Sequence, residues 1–228
     1  MIPIVERFNR AFSAVDNVPV FDNADFAWVP AVEREWRTIR AELERVVARK
    51  NELPGFQDIL PDIASISRDR GWKSFILAGL GATSRRNIAL CPQTWRIVQN
   101  VPGLSMAMFS IFKPGKRLRP HRGPYNGVLR LHLGLIVPDA RDAVAIRVGP
   151  HVRHWEEGKI LIFDDSYEHE AWNHSDRLRA VLFLDFARPL RFPANLVNAL
   201  LLKLAALSAL VREGRTNHRR WEREFYGD

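Results

Sequence analysis

A chain of 228 residues, 46% hydrophobic and 26% charged, has the balance of a soluble globular protein and is long enough to bury a sizeable core without staples. Its single cysteine, Cys91, excludes an intramolecular disulfide and points to a reducing compartment. The net charge of +8 favours anionic partners, yet no zinc-finger spacing, RNP-like aromatic strand or basic heptad supports a nucleic-acid module, and nucleic acid is not expected as a partner.

The opening MIPIVERFNRAF has no continuous apolar run, so neither a signal peptide nor a membrane span is expected there and the cytoplasm is the default location. Residues 1–28 show no long period. Over residues 30–50 the apolar positions Val32, Trp36, Ile39, Leu43 and Val46 recur at helical spacing, with Pro30 suited to the first turn and Asn51 to the end. Pro54, Gly55, Pro61 and Gly71 mark 52–71 as loop and short turns, 72–80 reads as a strand, and 92–100 as a short helix.

The pattern then changes. Residues 104–112, 128–137, 143–148, 159–163 and 178–186 are β-rich runs separated by Gly, Pro, Asp and Asn clusters, with no helices between them. That spacing predicts an antiparallel sandwich or barrel with helices before and after it. Residues 193–211 read as one helix, apolar on nearly every side but too polar to span a membrane, leading into a basic, aromatic tail. It covers a core or dimer surface on the plain reading; on the sharper one it lies peripherally on an anionic inner-membrane surface. The oligomeric state is open.

Five polar residues in the β-rich region stand out. Arg130 and His132 share one face of a strand whose other face carries Leu129, Leu131 and Leu133, an expensive pair unless satisfied. His121 follows the β-like segment 113–120, and His169 falls in a turn after a β-run. Arg179 is embedded in an apolar strand and needs a carboxylate or phosphate partner. His151, His154, His174 and His218 lie in polar stretches and read as surface residues. Two neutral imidazoles from opposite strands suit iron or zinc, although the carboxylate often found two residues after the first histidine is here Gly123. Hydrogen-bonded core histidines are the competing explanation.

The runs HRGPYNGVLRLHLGLIVP, WEEGKILIFDDSYEHEAWN and RLRAVLFLDFARP, with GWKSFIL, CPQTW and MAMFSIFKPG upstream, carry a longer signal. Over about residues 72–189 this set resembles the aspartyl/asparaginyl β-hydroxylase family of Fe(II)- and 2-oxoglutarate-dependent oxygenases. The N-terminal part is also similar to bacterial members that hydroxylate lipid A acyl chains, although their usual N-terminal membrane segment is not evident in the opening residues. The resemblance implies a mainly β fold with flanking helices, a double-stranded β-helix (jelly roll, cupin-like). It implies one domain over 1–228: a helical and loop layer at 1–71, the catalytic core at 72–190, and a C-terminal helix with basic tail at 191–228. It also implies that His121 and His169 are the catalytic metal ligands, with Gly123, as in the aspartyl/asparaginyl enzymes, leaving water to complete the shell. Arg179 and Ser110 fall on the holders of the distal 2-oxoglutarate carboxylate, Arg130 and His132 near the proximal one, and Trp72 on an aromatic wall of the cosubstrate pocket. The reaction implied is hydroxylation of an unactivated C–H with O2, releasing succinate and CO2. A lipid acyl chain, an Asp or Asn side chain and a small amino-acid metabolite are the candidate substrates. A catalytically silent cupin-like binding module is the alternative.

Overall fold

The computed structural model describes residues 2–49 and 51–227. Helix α1 (Ile2–Ala11) opens the chain where no long period is expected from the sequence; Ile4, Val5, Phe8 and Ala11 share one face, but its one buried residue is Asn9. The helix expected at 30–50 is two helices, α2 (Val29–Arg34) and α3 (Trp36–Val47). Glu35 leaves helical torsion angles between them, and its carboxylate accepts from the Thr38 hydroxyl in the first turn of α3 (3.3 Å). Lys50, the expected last residue of that helix, lies outside the described residues. A short α4 (Phe56–Ile59) follows, then β1 (Trp72–Gly79), β2 (Ala82–Thr83), α5 (Arg85–Leu90) and α6 (Pro92–Val98). Buried Glu42 of α3 caps α6, accepting from the backbone N–H groups of Gln93 and Thr94 and from the Thr94 hydroxyl.

Eight strands then wind between two sheets, β6 and β7 forming a hairpin within one of them: β3 (Leu104–Phe112), β4 (Lys116–His121), β5 (Val128–Ile136), β6 (Val144–Val148), β7 (His151–Arg153), β8 (Ile160–Phe163), β9 (His169–Asn173) and β10 (Arg179–Ala187). One sheet has the order β2-β1-β3-β10-β5-β8 and the other β4-β9-β6-β7, with every neighbouring pair antiparallel. This double winding is the double-stranded β-helix. The turn expected at His169 is the first residue of a strand, because His169 pairs in register with His121 across β4 and β9.

The larger sheet is buried on both faces. Leu129, Leu131, Leu133 and Leu135 of β5 are all fully buried, with α3 lying against the strand, while Arg130 and His132 face the space between the sheets. β10 does the same, with Leu182, Leu184 and Phe186 on one face and Arg179, Phe183 and Asp185 on the other.

The apolar stretch expected as one helix at 193–211 is also two, α7 (Ala194–Ala205) and α8 (Ala209–Tyr226), bent by 54°. Ser208 makes the break, its hydroxyl accepting from the Val211 N–H at 3.3 Å. Helix α8 returns to the core, where Trp221 and Phe225 pack edge-on against Phe75. His218 on this helix is buried, not a surface residue: the amphipathic face that inserts Trp221 also carries it inward.

Candidate active site

One narrow cavity between the sheets is lined by Trp72, Ser110, His121, Arg130, His132, His169 and Arg179, which come from six strands. The topology brings them together. β4 and β9 are neighbours in the smaller sheet, so His121 and His169 stand side by side with ring centroids 4.1 Å apart. β1, β3, β10 and β5 are consecutive in the larger sheet and supply the opposing wall.

Local hydrogen bonds set what each ring can do. His121 Nδ1 lies 2.7 Å from the Arg119 carbonyl oxygen and His169 Nδ1 lies 3.0 Å from that of Tyr167. A carbonyl only accepts, so each Nδ1 carries the proton and each Nε2 keeps its lone pair. Burial holds both rings neutral: His121 is pushed below its ordinary 6.5, and His169 is lowered to about 3, with the neighbouring His121 and Arg130 adding to the effect. Two neutral imidazoles with free Nε2 atoms, each oriented by a backbone acceptor, are the donor set a divalent metal takes. Among the described residues, no third His, Cys, Asp or Glu joins them in a metal-holding group.

The opposite wall offers hydrogen-bond donors with nothing to donate to. The Trp155 indole N–H donates to His132 Nδ1 at 3.3 Å, which leaves the proton of neutral His132 on Nε2, buried and without a partner. The Trp72 indole N–H donates to Ser110 Oγ at 3.0 Å, so the Ser110 hydroxyl proton is free for a ligand. Arg179 is 1% exposed, and its Nε and Nη1 have no acceptor. Its guanidinium lies between the faces of Phe112 (3.8 Å) and Trp155 (4.2 Å), and burial alone lowers it to about 9, still a cation at neutral pH. Protein interiors rarely leave buried donors unpaired, and three in one cavity define a place for an anionic acceptor such as a carboxylate.

Arg130 is different. It makes a two-pronged contact with Asp185 (Nε–Oδ1 2.8 Å, Nη2–Oδ2 3.0 Å) and a further one to Asp165 at 3.0 Å, over the Phe183 ring. Its charge is compensated by protein carboxylates, so Arg179 is the cavity cation with open donors. Asp165, pushed up to about 6 by burial against the pull of Arg130, answers the question posed by Gly123. A Cβ at position 123 would overlap the Asp165 carboxylate, and the Gly123 N–H donates to the Asp165 carbonyl at 2.7 Å. The space beside the histidines that a side chain at 123 would fill is occupied by a carboxylate from the β8–β9 turn. Asp165 and Trp155 are the cavity-shaping residues that the sequence does not single out. The acidic pair in FDDS was the available signal for Asp165.

A protein-family model described as aspartyl/asparaginyl beta-hydroxylase matches residues 33–189. The chain is 55% identical to the ornithine lipid ester-linked acyl 2-hydroxylase of Rhizobium tropici, over 98% of this chain and 79% of that protein. It is 34% identical to human aspartyl/asparaginyl beta-hydroxylase over 71% of this chain, and the match spans only 21% of that longer protein. Among solved structures, a prolyl-4-hydroxylase from Pseudomonas putida aligns with a TM-score of 0.43 at 18% identity, covering 70% of this chain and 98% of that one, a likeness too remote to bear on function.

Two outcomes test this geometry. Gly123→Ala puts a Cβ on the Asp165 carboxylate, which must shift relative to Arg130 while Arg130 keeps Asp185, and equilibrium urea unfolding should show a loss of about 1–3 kcal/mol, the cost of leaving a buried acceptor short of its partner; no loss would mean that the turn gives way freely. Lowering pH should destabilise the metal-free protein. The unfolded chain protonates His121, His132 and His169 near 6.5 while the folded state resists, so stability falls as pH drops below 6.5. Asp165 opposes this between its ordinary 3.8 and about 6, one group against three. The thermal midpoint at pH 5 is expected below that at pH 7.5; an equal or higher midpoint would show that the rings are not held neutral.

Proposed function

The chain belongs to the aspartyl/asparaginyl β-hydroxylase family, and from that premise we propose that it is an Fe(II)- and 2-oxoglutarate-dependent hydroxylase of a lipid acyl chain. The reaction inserts one oxygen of O2 into an unactivated C–H and releases succinate and CO2. The observation that carries the reading is the division of one cavity into two walls. Two imidazole lone pairs stand on one side, and on the other three donors, from Arg179, His132 and Ser110, have no protein acceptor.

A 2-oxo diacid fits that division. His121 and His169 would hold the iron through Nε2. Arg179, stiffened between Phe112 and Trp155, would bind a carboxylate of 2-oxoglutarate together with the Ser110 hydroxyl. The His132 Nε2–H is the remaining donor for the cosubstrate, and the Trp72 indole both walls the pocket and fixes the Ser110 oxygen. When bound, iron and 2-oxoglutarate supply the oxidising power that C–H cleavage requires. The chain itself orients them, keeps both histidines neutral, and excludes water with apolar walls from Phe112, Phe163 and Phe183.

Among the candidate substrates the acyl chain is favoured by the Rhizobium tropici relative, whose likeness runs over nearly the whole of this chain and most of that protein. By analogy, the hydroxylated position is carbon 2 of an ester-linked acyl group on an amino-acid-headed lipid. An Asp or Asn side chain is the second reading, supported by the shorter match to the human protein. The test is incubation with Fe(II), 2-oxoglutarate, O2 and an ornithine-lipid extract, read by mass spectrometry. Lipid species gaining one oxygen in step with succinate are expected. Succinate without modified lipid would move the substrate to another class, and neither product would leave a catalytically silent cupin-like module. His169→Ala should lose metal binding and succinate formation together; near-normal turnover would place the metal elsewhere.

A further inference from the structure

Helix α7 leaves most of its apolar surface in solvent. Of its twelve residues only Ala194 and Asn198 are buried, while Leu196, Leu200 and Leu204 are each more than half exposed along one stripe. Phe192 before the helix (72% exposed) and Leu207 after it (67%) lengthen the stripe, and α1 lies alongside with Ile4 at 68%. A contiguous apolar surface of this kind marks an interaction site. Its border is basic. Residues 186–212 contain no acidic side chain, and Arg191, Lys203 and Arg212 are exposed within them.

We propose that α7, with the start of α1, is a docking face for an anionic lipid bilayer. Charge separates this occupant from a second copy of the chain. A self-paired face would bring Arg191, Lys203 and Arg212 toward their own counterparts with only Glu6 of α1 and Glu213 nearby to meet them, whereas an anionic bilayer complements all three. The helix lies along the surface and does not cross it. No single described helix is long and apolar enough to span, and the other half of the bent pair, α8, is committed to the core through Trp221 and Phe225.

The face is tied by hydrogen bonds to the loop between β4 and β5. On α7, the Asn198 side-chain amide donates to the Gly127 carbonyl (2.8 Å) and its oxygen accepts from the Tyr125 hydroxyl (2.8 Å). On α1, the Asn9 amide donates to the Tyr125 oxygen (2.9 Å) and to Asn126 Oδ1 (3.0 Å). Both helices therefore grip residues 125–127, just beyond His121 and Gly123, and Asn126 is fully buried beneath them, so a bilayer seated on the helices would bear on that segment through Asn9 and Asn198. The proposal stands on exposure and charge and does not depend on the chemistry proposed above.

Deleting the chain from Pro193 would remove Trp221 and Phe225 from the core, so point variants are the proper test. Wild type and Leu200→Glu/Leu204→Glu are co-sedimented with vesicles of equal phosphatidylcholine and phosphatidylglycerol and with phosphatidylcholine alone, with circular dichroism confirming equal folding. The wild type should partition at least tenfold more strongly onto the anionic vesicles, increasingly so at low salt, and the variant should lose at least tenfold. Absence of binding, equal binding by the variant, or a wild-type dimer in sedimentation velocity that the substitutions dissolve would overturn the proposal. Succinate formation in detergent without vesicles reads the catalytic proposal separately.

Discussion

The central constraint is a cation without an anion. Arg179 is almost completely buried, with two nitrogens unpartnered, and the fold bears the desolvation of that charge with only two aromatic faces to offset it. Its surroundings follow from the same condition. Ser110 and His132 are turned by Trp72 and Trp155 so that their remaining protons also lack acceptors, and all three lie in one cavity with the two histidine lone pairs. A site complementary to a bound anion is strained without it, which is the usual stability cost of a binding site.

Arg130 shows what a settled arginine looks like in the same fold. It stands on the neighbouring strand, faces the same cavity and is clamped by Asp185 and Asp165. Its work is positional: it holds Asp165 in the volume left open by Gly123, beside the paired histidines. The two arginines thus divide the labour, one kept available for a ligand and one spent on shaping the wall. The exposed face of α7 extends the same economy to the surface, since Asn198 and Asn9 tie it to the loop between β4 and β5.

The antiparallel β architecture was legible wherever alternation was strong, and the family resemblance supplied its form as a double-stranded β-helix. The Arg130 and His132 face of β5 read correctly because Leu129, Leu131 and Leu133 define the opposite face without ambiguity. His169 read as a turn because FDDSYE precedes it, and its strand exists only through pairing with β4 and β6. Helix α1 was missed because its apolar spacing, Ile4, Val5, Phe8 and Ala11, runs for only ten residues, and His218 misled because its polar neighbours point outward while its own side chain follows Trp221 inward. The division between the arginines was not legible at all. Arg130 meets Asp185 55 positions away, and His132 meets Trp155 23 positions away, in pairings set by sheet topology and not by local pattern.

The most direct test of this account is the affinity of 2-oxoglutarate for the wild type and for Arg179→Met, measured calorimetrically with Mn(II) in place of iron, beside the unfolding free energy of each ligand-free protein. Losing hydrogen bonds to a charged partner, about 1.5–3 kcal/mol, predicts cosubstrate binding weakened by roughly ten- to 150-fold. Removing an uncompensated buried cation predicts a ligand-free fold as stable as the wild type or more so. Undiminished 2-oxoglutarate binding, or a ligand-free variant destabilised by several kcal/mol, would show that Arg179 is a structural residue and would contradict the account.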